Sequence, residues 1–148
     1  MNKEKAILLV EDNPSDIALT ERALKKAGVA NRIVVAEDGH AALEYLLGGD
    51  AGKDGWVQPL LILLDLNLPQ VSGLEVLQRI RAEPRTRRLP VVILTTSNEP
   101  KEICTCYDLG VNSYIVKPVD FAKFAEVVEH VGLYWLLVNE PPPEQSPS

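Results

Sequence analysis

Sulfur and imidazole are scarce: the chain has two cysteines and two histidines in 148 residues. Cys104 and Cys106 form a C-x-C pair without the two further ligands a zinc site needs, and there is no C-x-x-C redox pair. They are expected to be reduced thiols on or beside a helix. Basic charge is also short. Fifteen Lys and Arg face 21 Asp and Glu, a net charge of -6, which argues against non-specific nucleic-acid binding. No apolar run approaches the roughly 18 residues of a membrane span. The amino-terminal "MNKEKAILLVED" has an apolar run too short for a signal peptide, and it meets acid at once. A cytoplasmic protein is expected, without membrane or nucleic-acid partners. No internal repeat occurs at a fixed period.

What is present is an alternation. Short apolar runs, "AILLVED", "RIVVAED", "LLILLDLNLP", "LPVVILTTS" and "NSYIVKP", alternate with amphipathic stretches bounded by Asn, Asp, Pro and Gly. Continuous apolar runs of this length read as strands covered on both faces. The pattern predicts five strands and five helices in a parallel, doubly wound α/β sheet, of a size for one domain. Asn13 and Asp120 are candidate N-caps, Pro14 a first helical residue and Gly28 a helix stop.

In such a sheet, ligands bind beyond the carboxyl ends of the strands. The polar residues gather there. Strand one ends in Glu11 and Asp12, strand three in Asp65 followed by Asn67, strand four in Thr95, Thr96 and Ser97, and strand five in Lys117 and Pro118. Three carboxylates on one edge repel, by about 3 kcal/mol for a pair near 5 Å at an effective dielectric of ~20. Lys117 supplies one balancing charge, and a divalent cation would bring Glu11, Asp12 and Asp65 to formal neutrality. Hard oxygen ligands suit Mg²⁺, and the absence of a His or Cys cluster disfavours zinc. An ionised Asp65 in that setting is a nucleophile toward phosphorus, with Lys117 and Thr95 placed to stabilise the product phosphoryl group.

The pieces "LLVEDNPSD", "LLDLNLPQVSG", "VVILTTS" and "SYIVKP" resemble the receiver domain of two-component response regulators over about residues 5–132. The resemblance implies a flavodoxin-like receiver fold, with Asp65 as phospho-acceptor and a histidine kinase as donor. It implies that Glu11 and Asp12 hold Mg²⁺ and that Asn67 adds its backbone carbonyl. Thr95 would be the switch hydroxyl, Lys117 the partner of the phosphoryl group, Pro118 the residue after a cis bond, and Tyr114 the aromatic that changes rotamer. "PSD", "DLNLP", "TTSN" and "GLYWLLVNEPPP" are further similar to regulators that pair with bacterial phytochrome histidine kinases. Thr96 and Val119 depart from the alanine and phenylalanine that many receivers carry.

The receiver is expected to occupy residues 1–138, with a disordered proline-rich tail over 139–148 and no DNA-binding output. Output would then pass through a protein contact, self-association or a downstream phosphotransfer protein. In the last helix, Phe121, Phe124, Ala125, Val128 and Val131 form a stripe expected to face the core. The run Leu133, Tyr134, Trp135, Leu136, Leu137 and Val138 would leave apolar surface exposed. That predicts a homodimer built on this segment, the fifth strand and the fourth or fifth helix. A helix end folded back on its own domain is the other reading.

Other features point elsewhere only weakly. "GGDAGKDG" lacks the Ser or Thr of a P-loop after Lys53. His40 and His130 have no catalytic partner in sequence, and Trp56 reads as a packing anchor. A haloacid-dehalogenase phosphatase would need an Asp where Asn67 stands. A flavodoxin-like electron carrier would need a phosphate loop where the chain has "EDNPSD". A domain that catalyses only its own phosphorylation and dephosphorylation is expected, rather than a conventional enzyme.

Overall fold

A computed structural model describes residues 5–140 and 142. Five strands, β1 (Ala6–Val10), β2 (Arg32–Ala36), β3 (Pro59–Leu64), β4 (Val91–Thr95) and β5 (Ser113–Val116), alternate with five helices. These are α1 (Pro14–Lys26), α2 (Gly39–Leu47), α3 (Gly73–Ala82), α4 (Pro100–Asp108) and α5 (Phe121–Gly132). All strand pairs are parallel, in the order β2-β1-β3-β4-β5. The expected architecture is therefore the observed one.

The apolar runs explain the order. Every residue of β1, β3 and β4 is buried, as central strands covered on both faces require, whereas β2 and β5 at the edges are half-exposed. Successive side chains alternate between faces. Leu8, Val10, Ile62, Leu64, Val91 and Ile93 pack with Ala42, Val76, Ile80 and Cys106 from α2, α3 and α4. Ile7, Leu9, Leu61, Leu63, Val92 and Leu94 pack with Leu24 of α1 and with Phe124 and Val128 of α5.

Local chemistry fixes where the helices begin. Side-chain oxygens of Asn13, Asp38, Ser72 and Asp120 accept backbone N–H bonds in the first turns of α1, α2, α3 and α5. Glu99, ahead of α4, makes no such bond. Gly73 opens α3 against the backbone of β3: a Cβ there would lie 2.2 Å from the Asp65 carbonyl oxygen. At the other end of α3, the Arg81 guanidinium donates to the carbonyls of Arg87, Leu89, Leu109 and Gly110 at 2.8–3.0 Å. One side chain thus joins α3, the turn before β4 and the end of α4.

Three expectations need correcting. Phe121 is 69% exposed. It is the first residue of α5, a turn ahead of Phe124, the first α5 side chain that reaches the core. The Lys117–Pro118 bond is trans, since no cis peptide occurs among the described residues; trans is the lower-energy form of such bonds by about 0.5–1 kcal/mol. After Gly132 the chain widens into a π-helical turn, Leu133–Val138, with the Asn139 N–H on the Tyr134 carbonyl at 2.7 Å. That turn divides the apolar run: Leu136 is buried in the α1/α5 core, Trp135 is half-buried, and Leu133 and Tyr134 are exposed. The side chains of Leu137 and Val138, and residues 141 and 143–148 of the proline-rich tail, lie outside the described residues. No helix among the described residues is long and apolar enough to cross a membrane.

Candidate functional site

The chain order reverses between β1 and β3, and the crevice beyond their carboxyl ends is where a doubly wound sheet places its ligand. Glu11 and Asp12 follow β1 and Asp65 follows β3; the Asp65 N–H donates to the Val10 carbonyl at 3.1 Å, continuing the ladder into the site. One carboxylate oxygen from each of Glu11, Asp12 and Asp65 lies within 4.8 Å of the others. Glu11 and Asp65 are buried and Asp12 is exposed, so the cluster opens to solvent on one side.

Lys117 follows β5 and crosses β4 to reach this cluster. Its ammonium donates to Glu11 Oε1 at 2.5 Å, Asp16 Oδ2 at 2.9 Å and Asp65 Oδ2 at 3.0 Å. The other Asp65 oxygen, Oδ1, accepts the Asn67 backbone N–H at 3.0 Å. Burial alone would lower the Lys117 pKa, but its three acidic partners raise it above the ordinary value, so the ammonium stays charged. Burial, joined by the charge of Asp65, pushes Glu11 up to about 7 against the opposing bond from Lys117. The pocket therefore holds more acids than its one lysine can balance, and Glu11 is held closer to its protonated form than an ordinary carboxylate.

Asp16 was missed in the sequence. It sits in the first turn of α1, four residues beyond Asp12, where an acid is favourable to the helix dipole on its own account. Counting it, four acids face one ammonium, and with every carboxylate ionised a divalent ion would leave one negative charge over rather than the neutrality expected from three. All the donors are hard oxygens, so the set fits Mg²⁺ or a similar ion, with Glu11, Asp12 and Asp65 as the side chains that would hold it.

The remaining predicted residues surround this cluster. Thr95 is fully buried at the end of β4 and its hydroxyl accepts the Ser97 N–H at 3.5 Å. Thr96 is exposed and accepts from the Asn67 side-chain amide at 3.3 Å. Tyr114 is half-buried, and its hydroxyl donates to the Ser97 carbonyl at 2.9 Å. The Ser97 hydroxyl bonds Glu102 of α4. A chain of contacts thus runs from the strand ends to α4, through Ser97, one of the polar residues expected at the end of β4, and Glu102, which had no distinguishing sequence signal. A hollow of roughly 820 Å³ beside Arg32, Tyr45, Trp56 and Val57 lies near the amino ends of β2 and β3, apart from the acidic cluster.

The sequence profile of the response regulator receiver domain matches residues 7–129. The chain is 43% identical over 136 residues to FilR2 of Methanothrix harundinacea, described as a probable methanogenesis regulatory protein, covering 92% of this chain and 86% of that one. It is 37% identical over 135 residues to the response regulator Rcp1 of Synechocystis, covering 91% of each. Among solved structures, the phosphorylated cyanobacterial phytochrome response regulator RcpA superposes with a TM-score of 0.86 at 40% identity, over 95% of this chain and 99% of that one. The Mn²⁺-bound form of Rcp1 superposes with a TM-score of 0.86 at 36% identity, over 94% and 99%. Receiver domains hold a divalent metal at this acidic pocket and take their phosphoryl group from a histidine kinase; they are signalling domains, not classical enzymes. The acidic pocket at the β1/β3 reversal and the match along the sheet agree: the chain belongs to the response regulator receiver domain family of two-component signalling.

Proposed function

We propose that Asp65 accepts a phosphoryl group from the phosphohistidine of a sensor kinase in a Mg²⁺-dependent reaction. The observation that carries this reading is the convergence of Glu11, Asp12 and Asp65 within 4.8 Å, with the Lys117 ammonium on two of them. An Asp65 oxygen forms a bond to phosphorus as the bond from phosphorus to the imidazole nitrogen breaks. When bound, Mg²⁺ supplies charge neutralisation on the transferring group. Glu11, Asp12, Asp65 and the Asn67 backbone carbonyl would hold the ion. Lys117 keeps a positive charge beside the phosphoryl oxygens, and the Thr95 hydroxyl donates to one of them. Water later attacks phosphorus, releasing phosphate and restoring the carboxylate.

The acyl phosphate carries about two negative charges where Asp65 carried one. That change draws Lys117 and Thr95 inward, and Tyr114, tied to Ser97, follows as the switch aromatic. The likeness to the phytochrome response regulator RcpA supports a phytochrome-type kinase as donor, and the absence of a membrane-crossing helix among the described residues is compatible with a cytoplasmic encounter. Exposed Leu133 and Tyr134, with Val116 of β5 and Tyr107 of α4, support self-association as a homodimer. A downstream phosphotransfer protein is the other route for the signal. Residues 1–138 act as the receiver unit and 139–148 as its tail.

Intact mass after incubation with acetyl phosphate tests the reaction. Wild-type protein gains one phosphoryl group with Mg²⁺ and none with EDTA, and Asp65→Asn gains none. An adduct retained in Asp65→Asn would refute Asp65 as the acceptor. Transfer from a purified phytochrome-type kinase then tests the partner.

A further inference from the structure

Lys117 has three N–H donors and three carboxylate partners, so each proton is already engaged. Two of those partners, Glu11 and Asp65, belong to the cluster that would hold the cation. Asp16 does not. It comes from the first turn of α1 rather than a strand end, and its side chain is 18% exposed against 4% and 7% for the other two. A divalent ion on Glu11 and Asp65 repels an ammonium bonded to the same two carboxylates. The ion and Lys117 can share the pocket only if the ammonium gives up part of its hold on them. Asp16 offers a counter-charge outside the carboxylate cluster, 2.9 Å away.

We propose that Asp16 is a positioning residue for Lys117: it takes up the ammonium when a divalent cation, ahead of any phosphoryl group, engages Glu11 and Asp65. This rests on the reading of the pocket given above. The flexible four-carbon stem lets the ammonium lean toward α1 without leaving the pocket. Without Asp16 the ammonium stays on Glu11 and Asp65 and competes with the ion.

Calorimetric Mg²⁺ titration of the full chain tests this through a double-mutant cycle of Asp16→Asn and Lys117→Met. Loss of a negative charge near the pocket weakens binding in any background. The effect through Lys117 exists only where Lys117 is present. The affinity lost on Asp16→Asn is therefore expected to be about fivefold larger with Lys117 than with Met at that position. Equal losses in both backgrounds would overturn the proposal. A wild-type chain that binds no Mg²⁺ would instead overturn the pocket reading, and this inference with it. A second readout needs no change at Lys117. The ¹⁵N resonance of its ammonium should stay visible at saturating Mg²⁺ in the wild type and vanish by solvent exchange in Asp16→Asn. A signal of unchanged intensity in that variant would also count against the proposal.

Discussion

Cys104 and Cys106 lie two residues apart on α4 and meet opposite surroundings: the first is exposed, the second fully buried among Val76, Leu77 and Val111. Burial, helped by the charge of Glu102, pushes the Cys106 thiol up to about 11. At pH 8 a maleimide should label one thiol in native protein and both in urea, read by mass. The folded chain keeps the Cys106 proton where the unfolded chain, titrating near 9, has released it. Stability contributed by this group is thus present below pH 9 and falls as pH rises, by at most about 1.4 kcal/mol per pH unit. Urea midpoints at pH 8 and pH 10 should differ more for wild type than for Cys106→Ala. At this scale the sequence was readable where a residue type had one cheap explanation. Asp65 ending an aliphatic run demanded a partner, and Lys117 was found. Asp16 demanded nothing, because an acid in a first helical turn is unremarkable. Phe121 fitted the inward spacing of α5 but precedes the part of the helix that meets the sheet.

Elements are held here by contacts that substitutions can separate. Gly73 lets α3 start against the backbone of Asp65 and Leu66, with no room for a methyl group. Gly73→Ala is expected to cost about 1–3 kcal/mol and, by displacing Asp65, to weaken Mg²⁺ binding as well. Denaturant midpoint and calorimetry would measure the two effects side by side. Arg81 bonds four backbone carbonyls. Its planar fork makes this possible, so Lys should not rescue Arg81→Ala, and both should lose about 2 kcal/mol in urea unfolding. Equal stability of Arg81→Lys and wild type would show that the positive charge alone suffices. All ten elements could be read from the alternation of apolar runs and turn residues, since period and punctuation are local. Arg81 could not, because its partners come from two other segments of the chain, the turn before β4 and the end of α4.

At the scale of the whole molecule, the apolar segment after α5 separates folding from association. Leu136 is part of the core, whereas Leu133 and Tyr134 face solvent. Leu136→Ala should therefore cost about 2–4 kcal/mol of stability. Leu133→Glu with Tyr134→Glu should leave the unfolding midpoint nearly unchanged and convert a dimer to monomer in sedimentation velocity. A wild type that is monomeric at all concentrations, phosphorylated or not, would remove the dimer from the proposal. The sequence showed six apolar residues in a row but not which of them pointed inward, because the π-helical turn breaks the 3.6-residue period that such a reading assumes.

The strand order also sets a clock. No two neighbouring strands are joined by a hairpin; each parallel pairing must wait for a crossover, and β1 pairs with both β2 and β3. Long-range pairing of this kind slows the search for the native state relative to helical proteins of similar length. Glu11 and Lys117, 106 residues apart in the chain, meet only when the first and last strands are both in place. In refolding from urea, competence to accept a phosphoryl group should accordingly appear with the final kinetic phase, never with the early gain of helix.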